Sequence, residues 1–354
     1  AVDAIKRGAL DFIETPLAEI AKFIGDLHGI NADLDVRELE DIGLAPDTPL
    51  TFSIRRVTLR SALRLMLKEI GAEAIERDGR LVITSSWAAE EELVTRVYSL
   101  RKLLPRDWPR GDVLFADDAI IEVITSTVEP EMWDEVGGVG SIHVLRKSLI
   151  VSNTAHVQEQ VATLLKTLEQ ARQIVAASKD SPPEFASLPE PNPWQSRIEK
   201  ALRKDVEINF RETPLEEVVA FLTDKAKITI QLDQMALEDV GIGTDTPVNL
   251  EVKHVSLGAA LRLMLREMDL TYDIRDEVLL ITTPEEADTS LQTRIYPVAD
   301  LVLPPGEADD FGASDDWQQR ADYDALLELL IATIRPACWE DVGGAGSVEP
   351  WEGC

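Results

Sequence analysis

The chain carries little positive charge for its size. Its 354 residues include 65 acidic and 35 basic side chains, which give a formal net charge of −30. Proteins that bind nucleic acid or anionic membranes use lysine and arginine to displace counterions from phosphates. The sequence therefore predicts no nucleic-acid partner and no anionic membrane partner. Its negative charge favours solubility and would suit cationic partners or divalent ions.

The sequence also lacks a long apolar run and a cysteine framework. No stretch approaches the roughly 18–20 apolar residues that a membrane helix needs. The first residues, AVDAIKRGALDF, lack the apolar core of a signal peptide, and without an initiating Met we expect a mature or cut-out segment. The two cysteines, Cys338 and Cys354, could pair in an oxidising compartment, and this question stays open.

An internal repeat organises the chain. IETPLAEIAKFIGD, from residue 13, returns as RETPLEEVVAFLTD from residue 211, and SALRLMLKE, from residue 61, returns as AALRLMLRE. At a constant offset of 198, residues 11–98 show 37 identities in 88 positions. A match of this length indicates duplication of a structural unit.

Each repeat divides into two modules. We number these modules 1 to 4, and their predicted bounds are residues 1–94, 95–172, 198–292 and 293–354. Residues 173–197 include five prolines and are typical of a semi-rigid linker. An acidic insertion at residues 304–324 is expected to be a solvated loop. Since Cys354 matches residue 148 of the first repeat, module 4 lacks the last strand and helix of module 2.

The patterns within modules 1 and 3 predict the order β-α-β-β-α-β-β. Thr15 and Thr213 are expected to cap the first helix, with the following proline at its first position. Thr58 and Ser256 are expected to cap the second helix. Asp78-Gly79 predicts a tight hairpin turn.

Modules 2 and 4 are expected to begin with the strands VTRVYSL and QTRIYPV, and each strand leads to a helix. A glycine motif follows, MWDEVGGVGSI at residues 132–142 and CWEDVGGAGSV at residues 338–348. In module 2, IHVL and SLIVS predict two strands, and Thr154 is expected to cap a final helix. Taken together, these patterns predict an α+β protein.

These residues resemble a known family. The TPL-x-E helix start and the V-[ST]-L-x-x-AL-x-L-M-L helix of modules 1 and 3 resemble the STN domain of secretins and TonB-dependent receptors. SLIVSNTAHVQEQVATLLKTLEQ in module 2 resembles the second N-domain of secretins, although Ser148 replaces a usual Asn and Glu169 a usual Asp. The layout with W-x-x-VGG-x-GS resembles large repeat proteins of planctomycete-type bacteria.

The resemblance implies a fold and a function class. It implies STN-like folds for modules 1 and 3 and KH-like secretin N-domain folds for modules 2 and 4. It also implies an extracytoplasmic location, protein partners or self-assembly, and no enzymatic activity. A scaffold or interaction protein of the cell envelope, connected with secretion, is therefore the leading hypothesis. The alternative is a sensory module of the TonB-receptor type.

The glycine motif can be interpreted in three ways, as a Walker-type loop, as a KH-type loop or as a turn. A Walker-type loop would need a Lys before Ser141 and a helix after it, and the motif has neither. A KH-type G-x-x-G loop would clamp nucleic acid, which the flanking acids oppose. The favoured interpretation is a turn with positive φ and a tryptophan packed over it.

We also predict a lower-ranked role for this motif as a contact loop for a neighbouring protein. Its residues in the two repeats are Trp133, Gly137, Gly138, Gly140, Trp339, Gly343, Gly344 and Gly346.

No other pattern predicts chemistry. The acids between Asp33 and Asp47 do not have the spacing of an EF-hand. Asp35 is better interpreted as the cap of a short helix that ends near Gly43. The four histidines do not recur between the repeats, and none has metal-ligand spacing. We therefore expect no cofactor, no metal and no catalytic residues.

Overall fold

The computed structural model describes residues 8–103, 113–177, 188–302 and 322–350. The fold is α+β, as predicted, with several small sheets. The chain forms two compact units, one of residues 1–89 and 191–290 and the other of residues 90–190 and 291–354. Modules 1 and 3 thus share the first unit, and modules 2 and 4 share the second.

Module 1 contains nine elements. They are β1 (Gly8–Pro16), α1 (Leu17–His28), β2 (Ala32–Leu34), α2 (Val36–Asp41), β3 (Pro49–Val57), α3 (Leu59–Lys68), β4 (Ala72–Arg77), β5 (Arg80–Ser85) and α4 (Ser86–Glu90). Antiparallel β1 and β3 form one sheet, and the order β2-β5-β4 forms another, with β2 parallel to β5. Leu17, Ile20 and Ile24 recur at helical spacing in α1 and are buried in the core.

Module 2 has the predicted strands and helices. They are β6 (Val94–Ser99), α5 (Val113–Thr127), β7 (Ser141–Leu145), β8 (Ser148–Asn153) and α6 (Ala155–Ala177), with the strands in the order β6-β8-β7. Thr154 caps α6, since its hydroxyl accepts the Val157 N–H at 3.3 Å. Two short 3₁₀ turns lie between α5 and β7 and contain the first half of the glycine motif.

Module 3 repeats the element order of module 1 after one additional helix. Its elements are α7 (Pro193–Leu202), β9 (Asp205–Pro214), α8 (Leu215–Ala226), β10 (Ile230–Leu232), α9 (Gln234–Asp239), β11 (Pro247–Ser256), α10 (Leu257–Arg266), β12 (Thr271–Arg275), β13 (Val278–Thr282) and α11 (Pro284–Thr289). The sheet orders match those of module 1. Helix α7 starts within the predicted linker, and α6 extends into its other end.

Module 4 differs from the prediction at its first strand. QTRIYPV forms no strand, and only an isolated antiparallel bridge joins Ile295 to Leu188. Among the residues that the structure describes, module 4 has no strand that pairs with this segment as β8 pairs with β6. The described helices are α12 (Ala299–Val302) and α13 (Tyr323–Thr333). Most of the predicted acidic loop lies outside the described residues.

The prediction that Thr15 and Thr213 cap the first helix is wrong by one residue. Both threonines lie within a strand, one residue before its end, and the N-cap positions belong to Pro16 and Pro214. The helix amides find backbone acceptors instead, since Leu17 N–H donates to Thr48 O at 3.0 Å and Ala18 N–H donates to Pro46 O at 2.9 Å. Because the folded loop already satisfies these amides, a side-chain cap is unnecessary.

Three further local predictions for modules 1 and 3 are confirmed. Thr58 caps α3 through Ser61 N–H, and Ser256 caps α10 through Ala259 N–H at 3.3 Å. Asp78 and Gly79 have φ values of 53° and 73°, as a two-residue hairpin turn requires. The short helix predicted after Asp35 is α2, but Asp35 does not cap it with its side chain, which accepts no helix amide and pairs with Arg77 at 2.9 Å instead. Among the described residues, no helix is long and apolar enough to cross a membrane.

A matched pair of threonine substitutions tests these assignments. Thr58→Ala should lower the free energy of unfolding by about 1 kcal/mol, because it removes a helix cap. Thr15→Ala should cost at most a few tenths of a kcal/mol, because Thr15 caps no helix amide. Urea unfolding monitored by far-UV circular dichroism measures both. Equal losses would contradict the assigned helix start.

Candidate interaction site

The backbone of the glycine motif is folded back on itself. Asp134 N–H donates to Gly140 O and Gly140 N–H donates to Met132 O, both at 2.7 Å. Gly138 N–H donates to Trp133 O at 2.8 Å, and Gly137 N–H donates to Asp134 O at 3.1 Å. A phosphate-binding loop needs backbone N–H groups that point at the ligand. In this loop these four groups are already bonded within the protein, which favours the structural interpretation.

A side chain is disfavoured at each of these glycines for a different steric reason. Gly137 has a φ of 97°, a left-handed conformation that disfavours side chains. A Cβ on Gly138 would lie 2.3 Å from the Met132 carbonyl carbon, and one on Gly140 would lie 2.0 Å from Asn153 Nδ2. Gly343 and Gly344 of module 4 repeat the same features, with a φ of 88° and a Cβ distance of 2.2 Å to Cys338.

The tryptophan lies beneath the loop. Trp133 is 1% exposed, belongs to the core of module 2, and donates from Nε1 to Val128 O at 2.7 Å. Trp339 makes the same bond to Ile334 O at 2.7 Å but is only half-buried. Val136 and Val342, at the tips of the two loops, are 70% and 63% exposed. The motif therefore presents valines outward and keeps the tryptophan ring of module 2 inside.

A second surface, which the sequence analysis did not predict, joins modules 1 and 3. It consists of two different faces. The helix face of module 1 comprises Ser53 and Arg55 at the edge of β3, and Thr58, Arg64, Leu65 and Lys68 at and along α3. The hairpin face of module 3 comprises Thr229, Gln231, Asp233, Asp276, Glu277, Val278, Leu280 and Glu286.

Hydrogen bonds join the rim of the two faces. Thr229 Oγ1 donates to Arg55 O at 2.8 Å, and Gln231 Nε2 donates to Ser53 O at 2.9 Å. Glu277 accepts the Thr58 N–H at 2.9 Å. Glu277 itself has a φ of 64°, at the hairpin position where module 1 has Gly79. Module 3 thus places a carboxylate where the turn favours glycine, and this carboxylate binds module 1.

Ion pairs surround the contact. Arg64 lies 3.1 Å from Asp276, and Lys68 contacts Glu286 and lies 3.9 Å from Asp233. Arg275 of the same module lies 3.2 Å from Asp233 and so balances that buried carboxylate. Burial alone would raise the pKa of Glu286, but the hydrogen bond and charge of Lys68 and the charge of Arg275 hold it below its usual value.

Apolar side chains fill the centre. Val278 and Leu280 are 0% and 3% exposed, and both belong to the core cluster of module 1. Leu65 on α3 is 8% exposed and belongs to the same cluster. This contact therefore has a buried apolar centre and a polar rim, like a stable protein–protein interface.

Glu69, next to Lys68 on the module 1 side of this contact, is a second acid with a shifted pKa. Burial, with the nearby charges of Asp233 and Glu238, raises the pKa of its carboxyl to about 7.

The acids near Asp35 have arginine partners: Arg77 lies 2.9 Å from Asp35 and Arg80 lies 3.2 Å from Asp33. Within the described part of the chain, no cluster of His, Cys, Asp and Glu could hold a metal ion. Cys338 is exposed, and Cys354 lies outside the described residues.

The glycine loop can be tested by two alanine substitutions. Gly138→Ala should lower the free energy of unfolding by about 2 kcal/mol or more, because the new Cβ would overlap backbone atoms. Gly137→Ala should cost about 1 kcal/mol, because only its φ is unfavourable. Trp133 fluorescence during urea unfolding is the measurement. A larger loss for Gly137→Ala than for Gly138→Ala would contradict the described loop.

The contact between modules 1 and 3 should depend on pH through Glu69. Because the pKa of folded Glu69 is about 7 against 4.5 without perturbation, the free energy of unfolding should fall as the pH rises between these values, and then stay level. Glu69→Gln should remove this fall and stabilise the protein by about 1 kcal/mol above the upper value, allowing for partial exposure. Urea unfolding across this pH range is the measurement. Glu267→Gln, at the exposed equivalent position in module 3, is the control and should leave the profile unchanged.

Comparisons with known proteins found secretin domains. The structure of XcpQN012 is 13% identical, over 62% of this chain and 78% of that one, with a TM-score of 0.17. The N-terminal domain of the secretin XcpQ from Pseudomonas aeruginosa is 13% identical, over 61% and 76%, with a TM-score of 0.16. The GspC–GspD complex of the enterotoxigenic Escherichia coli type II secretion system is 15% identical, over 47% and 99%, with a TM-score of 0.16. No family model and no curated protein matches the chain. These identities and TM-scores are too low to extend any property of those proteins to this chain.

Proposed function

We propose that the chain is a non-enzymatic interaction or scaffold protein of the cell envelope, outside the cytoplasm, in a secretion-type assembly. The observation that carries this proposal is the contact between modules 1 and 3. Two modules of one repeat family recognise each other there through an apolar centre, ion pairs and hydrogen bonds. The envelope location rests on the sequence resemblance to secretin N-domains.

The composition of the contact supports an interaction role. A protein interface needs an apolar centre that excludes water and a polar rim that selects the partner. Val278 and Leu280 supply the centre, and Arg64 with Asp276 contributes to the rim. The modules are therefore built to present faces to other modules. No observation favours the TonB-type alternative.

In this proposed function the glycine loop is a contact site for a partner protein, and its residues have different roles. The glycines fix the backbone of the loop, and Trp133 holds it from beneath. Val136 and Val342 are then the apolar groups that a partner would cover. A rigid loop loses little conformational entropy on binding, which favours such contacts.

In-cell photo-crosslinking tests this function. The photoreactive residue p-benzoylphenylalanine is introduced at Val136, and at Leu145 in the same module as a control of similar exposure, 63%. In the organism that encodes the chain, Val136 should give a discrete crosslink to an envelope protein, and Leu145 should not. Fractionation should place the protein outside the cytoplasm. A cytoplasmic protein without a crosslink at Val136 would contradict the proposal.

A further inference from the structure

The contact between modules 1 and 3 is heterologous, because it joins a helix face to a hairpin face. Such a contact is not closed by symmetry, and it leaves one face of each kind unused within the unit. The unused faces are the helix face of module 3 and the hairpin face of module 1. The offset of 198 residues identifies the residues of each face.

The helix face of module 3 keeps the chemistry of its counterpart. Thr58, Arg64, Leu65 and Lys68 of module 1 correspond to Ser256, Arg262, Leu263 and Arg266. Leu65 is 8% exposed under module 3, whereas Leu263 is 44% exposed. Arg262 and Arg266 are exposed, and Arg266 forms no ion pair with a residue that the structure describes. This face therefore has an exposed leucine between two arginines.

The hairpin face of module 1 keeps the acids that such a face needs. Asp35 and Asp78 correspond to Asp233 and Asp276, and Asn31 corresponds to the hydrogen-bonding Thr229. Asp33 and Asp78 are exposed. Asp33, with Asn31 and Arg80, lines part of a shallow depression of about 350 Å³.

Four differences set the expected strength. Arg80 replaces Val278, so the hairpin face of module 1 has less apolar area. Gly79 and Ala88 replace Glu277 and Glu286, whereas Asp33 replaces Gln231, so this face has one fewer acid. A contact between separate chains also costs translational and rotational freedom that a contact within one chain does not. The second contact should therefore be weaker than the one between modules 1 and 3.

We propose that a second copy of this chain docks the hairpin face of its module 1 onto the helix face of module 3. Arg262 would then pair with Asp78 of the second copy, as Arg64 pairs with Asp276 within the chain. Each docked copy offers the same helix face again, so association is head-to-tail and open-ended. This inference rests on the proposed function, because it names the partner of the interaction modules.

Sedimentation velocity over a concentration series tests the proposal. The buffer should be near physiological ionic strength, because copies with a net charge of −30 repel one another at low salt. The wild-type chain should grow beyond a monomer with concentration. Leu263→Glu should weaken association at least about tenfold. Leu27→Glu, at a leucine of similar exposure on α1, 54%, should associate like the wild type.

A mixing experiment tests the polarity of the contact. The Asp33→Asn/Asp78→Asn double variant keeps a residue type that tolerates the left-handed turn but loses two charges of the hairpin face. This double variant alone should also self-associate more weakly than the wild type. Mixed with Leu263→Glu, which keeps an intact hairpin face, it should form a one-to-one dimer that does not grow. Failure of the mixture to dimerise would overturn the head-to-tail geometry.

Two results separate this inference from the proposed function. A wild-type chain that stays monomeric at all concentrations but crosslinks to an envelope protein at Val136 overturns the inference and leaves the proposed function standing. A monomer without any crosslink overturns both. Association of Leu263→Glu equal to that of the wild type also overturns the inference.

Discussion

The structure of the first unit depends on a strand whose residues are buried on both sides. In β13, Leu279 and Ile281 belong to the core of module 3, whereas Val278 and Leu280 belong to the core of module 1. A strand in a sheet needs cover on each apolar face. Module 3 cannot supply both covers from its own helices, so α3 of module 1 supplies the second one. Modules that are 198 residues apart in the sequence are therefore joined through one strand.

The two repeats differ where this contact requires it. Module 3 has Glu277 in a left-handed conformation and Val278 at the start of β13, while module 1 has Gly79 and Arg80. A non-glycine residue at such a position costs about 1 kcal/mol or more, and the bond from Thr58 N–H to Glu277 offsets part of this cost. Duplication produced similar modules, and a few substitutions gave each module a distinct face.

Local features of the fold could be predicted from the sequence, and the contacts between modules could not. The caps at Thr58 and Ser256 and the turn at Asp78-Gly79 depend on neighbouring residues, so the sequence contains the whole signal. Thr15 does not cap the helix, because the backbone oxygens of Thr48 and Pro46 accept the first helix amides, and these oxygens come from a loop about thirty residues away in the sequence. The glycine motif could be interpreted as a turn, but only the structure places Trp133 in the core. One sequence signal for the contact between modules was available. The residues of β13 from Val278 to Ile281 are all apolar, whereas the equivalent strand of the first repeat begins with Arg80.

The central claim is that module 3 completes the core of module 1. Nuclear Overhauser effects between methyl groups, measured on the whole chain with labelled valine, leucine and isoleucine, test this claim directly. The account predicts cross-peaks from the methyl groups of Val278 and Leu280 to leucines of the module 1 core, including those of α3. Cross-peaks from Val278 and Leu280 to methyl groups of module 3 alone would contradict it.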